Sequence, residues 1–351
     1  MRRIAIVVLL AAALVLPPAA IAGESKELVI ASWGGAFQKA QREAYFDPFE
    51  KATGIKVIDV SPPKASKVKA MVQSGNVEWD VVVAAGGIFM PCLKQGLVEK
   101  IDYKYFDKET LEGLYPEAKK PHAVGTFYFS YVMAYSTEVY SKAHHPRNWA
   151  EFWDVKKFPG PRTLHDLSTA GVGGWEFALL ADGFPKDQIY VNPDLDRAFK
   201  KLTEIKPYVV KWWRQGAEPG QLFMDKEVVL GSAYNGRVQR LKEQGGPVDY
   251  IWNEGVICLE YFFIPKGAPN YENALKFIAF ASKPGRQAHF SKLFAYGPVN
   301  KDAFKLLTEE RAHVLPSYPE NKEKQVLLRD EWCPDNTPKV IERWNTWILE
   351  K

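Results

Sequence analysis

Between Lys26 and Gly87, short apolar runs alternate with helically spaced segments, and this alternation constrains the fold more than any other feature of the chain. Lys26 to Ala31 carries Leu28, Val29 and Ile30 and reads as a buried strand, turned at Trp33-Gly34-Gly35. Phe37, Ala40, Ala44, Tyr45 and Phe49 then recur at helical spacing up to Gly54. A strand over Ile55 to Val60, a helix over Ala65 to Ser74 and a strand over Trp79 to Ala84, ending at Ala85-Gly86-Gly87, follow. Strand, helix, strand, helix, strand specifies a parallel α/β sheet. Pockets in such sheets open where the strands end, and Trp33 and Gly86–Gly87 both fall at such ends.

The rest of the chain extends the pattern. Thr126 to Tyr135 reads as an apolar, aromatic strand, and Pro146 to Phe158 as a short helix with Trp149, Phe152 and Trp153. Helical spacing is seen over Gly171 to Ala181, Leu195 to Ile205, Val238 to Gln244, Tyr271 to Ala281 and Gln287 to Phe294, and again over Pro338 to Leu349. Strands are expected over Val228 to Tyr234 and Ile257 to Ile264. No Gly/Ser-rich linker separates the halves, so two lobes would be joined by strands, which makes a hinge.

The N-terminus carries an address. Arg2 and Arg3 precede the uncharged apolar run Ile4 to Val15, Pro17-Pro18 breaks it, and Ala20-Ile21-Ala22 offers small residues for cleavage. Residues 1–22 read as a signal peptide, and no Cys follows to carry a lipid. Loss of Arg2 and Arg3 takes the formal charge from +4 to +2, with no concentrated basic patch for nucleic acid. Cys92, Cys258 and Cys333 are too few for a disulfide-built fold. The six His show no HExxH spacing and no G-x-S-x-G elbow occurs, so neither a metal centre, a cofactor nor catalysis is indicated.

What stands out instead is a set of residues suited to holding a small solute. Trp33, Trp175, Trp212, Trp213, Trp252 and Trp332 fall in predicted turns or beside Gly and Pro, where they serve either core packing or a cleft for a cationic or alkyl ligand. Glu260 interrupts the apolar run Gly255 to Pro265, and a carboxylate there needs a cation or several donors to stay ionised, the cation being a ligand's ammonium or an internal Arg or Lys. Arg214, after Trp212-Trp213, and Arg237, after Tyr234-Asn235-Gly236, offer a fork for a carboxylate or else surface ion pairs.

Taken in order, the strand before Trp33, Trp79-Asp80-Val81-Val82-Val83, Tyr234-Asn235-Gly236 and Glu260 to Pro265 resemble the bacterial periplasmic binding proteins of ABC importers for spermidine and putrescine, over nearly the whole mature chain. The resemblance implies the two-lobed α/β periplasmic binding protein fold of type II, with parallel-rich sheets and a hinge. It implies lobe 1 over 23–136 with 259–303, and lobe 2 over 137–258 with 304–351. It also implies a monomer in the periplasm that hands a small amine or amino acid to a permease driven by an ATPase, with no chemistry of its own.

By the same resemblance, Trp33, Gly86 and Gly87 line the first lobe's side of the cleft, Tyr234 stacks on the ligand and Glu260 grips an amine. Cys258 stands where an aromatic is often found. Glu331-Trp332-Cys333 resembles the late segment that brings a polar side chain inward, with Cys333 in place of an amide, and Cys258 and Cys333 would approach near the hinge, close enough for a disulfide. Arg162 to Asp166 matches the family's acidic pair only in part, and Arg237 stands where some relatives place a carboxylate. One anchor at Glu260 with Arg214 or Arg237 fits an ω-amino acid such as 4-aminobutyrate, which some relatives bind. If an arginine instead meets Asp166, a polyamine such as putrescine or spermidine fits as well.

Overall fold

The computed structural model describes residues 26–350, so the signal segment over 1–22 lies outside the described residues. Eight strands form one continuous path: β1 (Glu27–Ala31), β2 (Lys56–Val60), β3 (Val81–Ala85), β4 (Ala123–Ser136), β5 (Arg162–His165), β6 (Val209–Trp213), β7 (Leu230–Tyr234) and β8 (Val248–Phe263). Their spatial order is β2-β1-β3-β8-β4-β7-β5-β6, and three two-residue strands pair off this path.

The path has a parallel group at each end. β2, β1 and β3 run parallel, as do β7, β5 and β6. β8 and β4 are antiparallel to each other and to the groups they join. The expected parallel sheet is therefore present twice, and its halves are stitched by two long strands. Irregularities in the β4–β8 ladder fall between Gly125 and Phe127 and between Tyr131 and Met133, where the pair crosses from one half to the other.

Two main cores flank this crossing. One packs Leu28, Val82 and Phe127 with the helix Tyr271–Ala281 and the aromatic stack of Phe127 on Tyr296, 5.1 Å between ring centres. The other packs Trp149, Trp175 and Trp213 with the C-terminal helix Cys333–Trp347, and Trp149 stacks on Phe177 at 3.9 Å. Asp80, fully buried in the first half, fastens it by accepting bonds from the backbone of Val29 (2.8 Å) and Asn270 (2.9 Å).

Several expected elements shift for identifiable reasons. The helix read over Gly171 to Ala181 is broken: Leu167–Ala170 ends at Gly171, and the left-handed backbone of Gly171 and Gly173 turns the chain before Trp175–Ala181. β8 starts at Val248, well before Ile257, and tolerates Glu254 at a positive φ because Trp149 donates both its amide and its indole N–H to that residue. Trp212 and Trp213, expected in a turn, belong to β6, an edge strand that pairs only with β5. Trp213 is fully buried there. Trp175 opens a helix in the core and Trp252 lies within β8, so of the tryptophans assigned to loops only Trp33 is largely exposed.

Arg162 is buried in β5, and its guanidinium donates to the carbonyls of Phe152 (3.0 Å), Phe158 and Gly160. Arg162→Met would leave these carbonyls without their donor. We expect it to destabilise the fold by about 3 kcal/mol, read as a lowered denaturant midpoint with an unchanged slope; a shift under about 0.5 kcal/mol would refute this role.

Candidate solute-binding cleft

The carboxyl ends of the parallel strands face the crossing pair. Trp33 follows β1 and Gly86 follows β3; Asp166 follows β5, Arg214 follows β6, and Tyr234 ends β7. Glu260 lies on β8 opposite Ala85 of β3 and Phe127 of β4, at the level where β3 ends. Chain order and register thus place Trp33, Gly86, Asp166, Arg214 and Tyr234 at strand ends beside the crossing pair that carries Glu260.

Glu260 is buried, and its Oε1 accepts the indole N–H of Trp33 at 2.5 Å, while the Trp33 ring is 43% exposed. No Lys, Arg or His pairs with Glu260 among the described residues. Burial pushes its carboxyl up to about 8, the Trp33 bond opposes this, and nearby Asp330 adds to it. The cleft therefore holds a buried carboxyl, kept largely protonated, with no cationic partner among the described residues.

Tyr234 forms the aromatic wall. Its hydroxyl meets that of Tyr131 at 3.2 Å, and Trp213 (5.2 Å) and Phe129 (5.7 Å) pack edge-on to its ring. His165 lies beneath Tyr131; its Nδ1 donates to the Val172 carbonyl at 2.8 Å, and burial lowers its pKa to about 4, so it is neutral. Both Tyr234 and Tyr296 lie within the fields of Glu260 and Arg237, which have opposite signs.

The Asn-Gly turn after Tyr234 has a structural task. Asn235 accepts from Ser130 of β4 (2.9 Å) and donates to Ala295 (2.7 Å), and a Cβ on Gly236 would stand 2.6 Å from Tyr296. Only a glycine admits that approach. Arg237 is half-buried on the same helix, its guanidinium 5.8 Å from the Phe294 ring centre, and no carboxylate pairs with it among the described residues. Arg214 does meet a carboxylate: its Nε donates to Asp166 at 2.9 Å.

Gly86 begins the helix Gly86–Lys94 and is covered by Asp330, whose Oδ1 would stand 2.0 Å from a Cβ there; Gly87 is open to solvent. Trp332 packs elsewhere. It stacks on Trp175 at 5.1 Å, meets Tyr190 edge-on at 5.6 Å and lines a surface groove with Asn192 and Arg343, away from Trp33, Glu260 and Tyr234. The disulfide expectation is also corrected: Cys258 and Cys333 share a core but are free thiols, held protonated by burial among carboxyls.

Two further carboxyls escaped the sequence reading. Glu176 is fully buried, accepts from the amides of Gly173 (2.9 Å) and Gly174 (3.0 Å) and from Tyr190 (2.8 Å), and is raised by burial to about 7. A lone Glu in the apolar run Trp175 to Leu180 was the available signal, the same kind that exposes Glu260. Asp330 accepts from the Tyr261 hydroxyl and is raised by burial to about 6; in the charged run Arg329 to Glu331 nothing distinguished it.

Two α/β halves on a two-strand crossing, with an unpaired buried acid and an aromatic wall where the strands end, define a protein that captures small solutes. The profile of the family described as bacterial extracellular solute-binding protein matches residues 44–320, and the chain belongs to that family. It is 36% identical over 336 residues to the gamma-aminobutyric acid-binding protein of Pseudomonas aeruginosa, covering 94% of this chain and 93% of that one. It is 26% identical over 299 residues to the spermidine/putrescine-binding periplasmic protein of Escherichia coli, covering 82% of each. An ABC transporter substrate-binding protein from Bradyrhizobium japonicum superposes with a TM-score of 0.86 at 38% identity, over 92% of this chain and 99% of its own.

Proposed function

We propose that the protein is the periplasmic receptor of an ABC importer for an ω-amino acid of the 4-aminobutyrate type, delivered to the periplasm by cleavage of residues 1–22. The observation that carries this reading is a charge count in the cleft. Among the described residues Glu260 is a buried acid without a cation and Arg237 a half-buried cation without an acid, and Tyr234 and Tyr296 lie within the fields of both. A zwitterion brings the two missing partners at once, its ammonium to Glu260 and Trp33, its carboxylate to Arg237 and its methylene chain to the rings. The similarity to the gamma-aminobutyric acid-binding protein supports the same class.

Lobe 1 comprises 23–136 with 259–303 and lobe 2 comprises 137–258 with 304–351, hinged at β4 and β8. The loaded protein docks on a membrane permease powered by a cytoplasmic ATPase and carries out no reaction itself. A diamine is the second reading, favoured by Glu176 and Asp330, two more buried carboxyls that form no salt bridge among the described residues.

Thermal unfolding with 4-aminobutyrate, 1,4-diaminobutane and butyrate tests both. A ligand at 100 times its Kd adds about 2.7 kcal/mol of stability. We expect 4-aminobutyrate to stabilise most, the diamine less and butyrate least. Butyrate matching 4-aminobutyrate would remove Glu260 as the anchor, and the diamine stabilising most would select the second reading.

A further inference from the structure

The strand order β7-β5-β6 sets Asp166, at the end of β5, between Tyr234 at the end of β7 and Arg214 beyond β6. Asp166 is buried, and both of its oxygens are used. Oδ1 accepts the Ser168 amide at 2.7 Å, and Oδ2 accepts the Arg214 Nε at 2.9 Å. Its backbone N–H also bonds the Trp213 carbonyl at 2.8 Å, which ties it to the strand that carries Arg214.

Arg214 presents the opposite picture. Its side chain is 62% exposed, its amide is held by Glu218 at 3.1 Å, and the bond to Asp166 engages only Nε. The loop that follows folds back over the cleft wall: a Cβ on Gly216 would stand 2.8 Å from the Tyr234 ring and 3.9 Å from the Arg237 Nε. A guanidinium fixed through Nε keeps the edge formed by its two terminal nitrogens available, and that edge matches a carboxylate bidentately.

We propose that Asp166 is a positioning residue: it does not grip an amine but fixes Arg214 so that its terminal nitrogens, together with Arg237, receive the acidic end of the solute. This rests on the amino-acid reading above. It makes Asp166 a determinant of the choice between amino acids and plain amines, because its negative charge is already matched by Arg214 and is not left over to anchor an ammonium.

The test compares wild type, Asp166→Asn, Arg214→Gln and the double variant by calorimetry with 4-aminobutyrate and 1,4-diaminobutane. Asp166→Asn should weaken 4-aminobutyrate about tenfold and leave the diamine unchanged, and adding it to Arg214→Gln should cost nothing more. Equal losses for both solutes, or none for either, would overturn the proposal. Nitrogen-15 relaxation of the Arg214 Nε–H in the solute-free protein gives a readout that does not depend on the solute's identity. An Nε–H ordered in wild type and mobile in Asp166→Asn is expected, and one already mobile in wild type would overturn the positioning role. If wild type binds neither solute, the amino-acid reading fails on its own while the relaxation experiment still judges Asp166.

Discussion

Glu260→Gln should lower the affinity for 4-aminobutyrate by about 100-fold or more while leaving the unfolding temperature of the empty protein unchanged. The exchange keeps the volume and keeps an oxygen to accept the Trp33 indole N–H, so the wall of the cleft survives. What goes is the negative charge. Stripping one partner from a buried ion pair costs about 3–5 kcal/mol, and each 1.4 kcal/mol or so is a decade of affinity. The empty protein is spared because its Glu260, raised to about 8, is largely protonated at neutral pH and an amide replaces it closely. Titration calorimetry measures the first effect and calorimetric melting the second. An affinity within a factor of two or three of wild type would move the amine to another residue.

The second expected result concerns acidity. Binding of an ammonium requires the ionised form of a carboxyl that the empty cleft keeps protonated. Capture at pH 7 should therefore release close to one proton, and affinity should rise about tenfold per pH unit from 6 towards 8 and level off above it. The sign is set by the upward shift of Glu260: below about 8 ligand and proton compete, above it they do not. Asp330, raised to about 6, adds to the rise only at its lower end, and Glu176, raised to about 7, stands on three hydrogen bonds of its own. His165, lowered to about 4, stays neutral throughout. Calorimetry in buffers of different ionisation enthalpy counts the proton. A flat profile from pH 6 to 8 would show that Glu260 is already ionised or not engaged, and in Glu260→Gln the slope between pH 7 and 8 should vanish.

Much of this cleft was legible in the sequence, and the reasons differ by residue. Trp33 and Gly86 were found because parallel strands announce where they end. Glu260 was found because a charge in an apolar run needs a partner. Tyr131 and Phe129 were missed because an aromatic in a strand looks the same whether it faces core or ligand; only the crossing of β4 and β8 decides. Trp332, singled out through the resemblance of Glu331-Trp332-Cys333, packs against Trp175, because an indole near the end of the chain can equally cap a core. The pairing of Asp166 with Arg214 joins residues 48 positions apart on neighbouring strands, and no local pattern encodes it.

Glu260 sits on β8, one of the two strands that belong to both halves, not on either flank. If the proposed reading holds, the amine of the solute would be fastened at the axle, where a hinge opening would displace it least, and the acid end would rest on the rim of a moving jaw beside Arg237. Unloading would then proceed like a hook swinging free of a latch: the carboxylate is released first by the motion itself, and the amine last, once water and a proton reach Glu260.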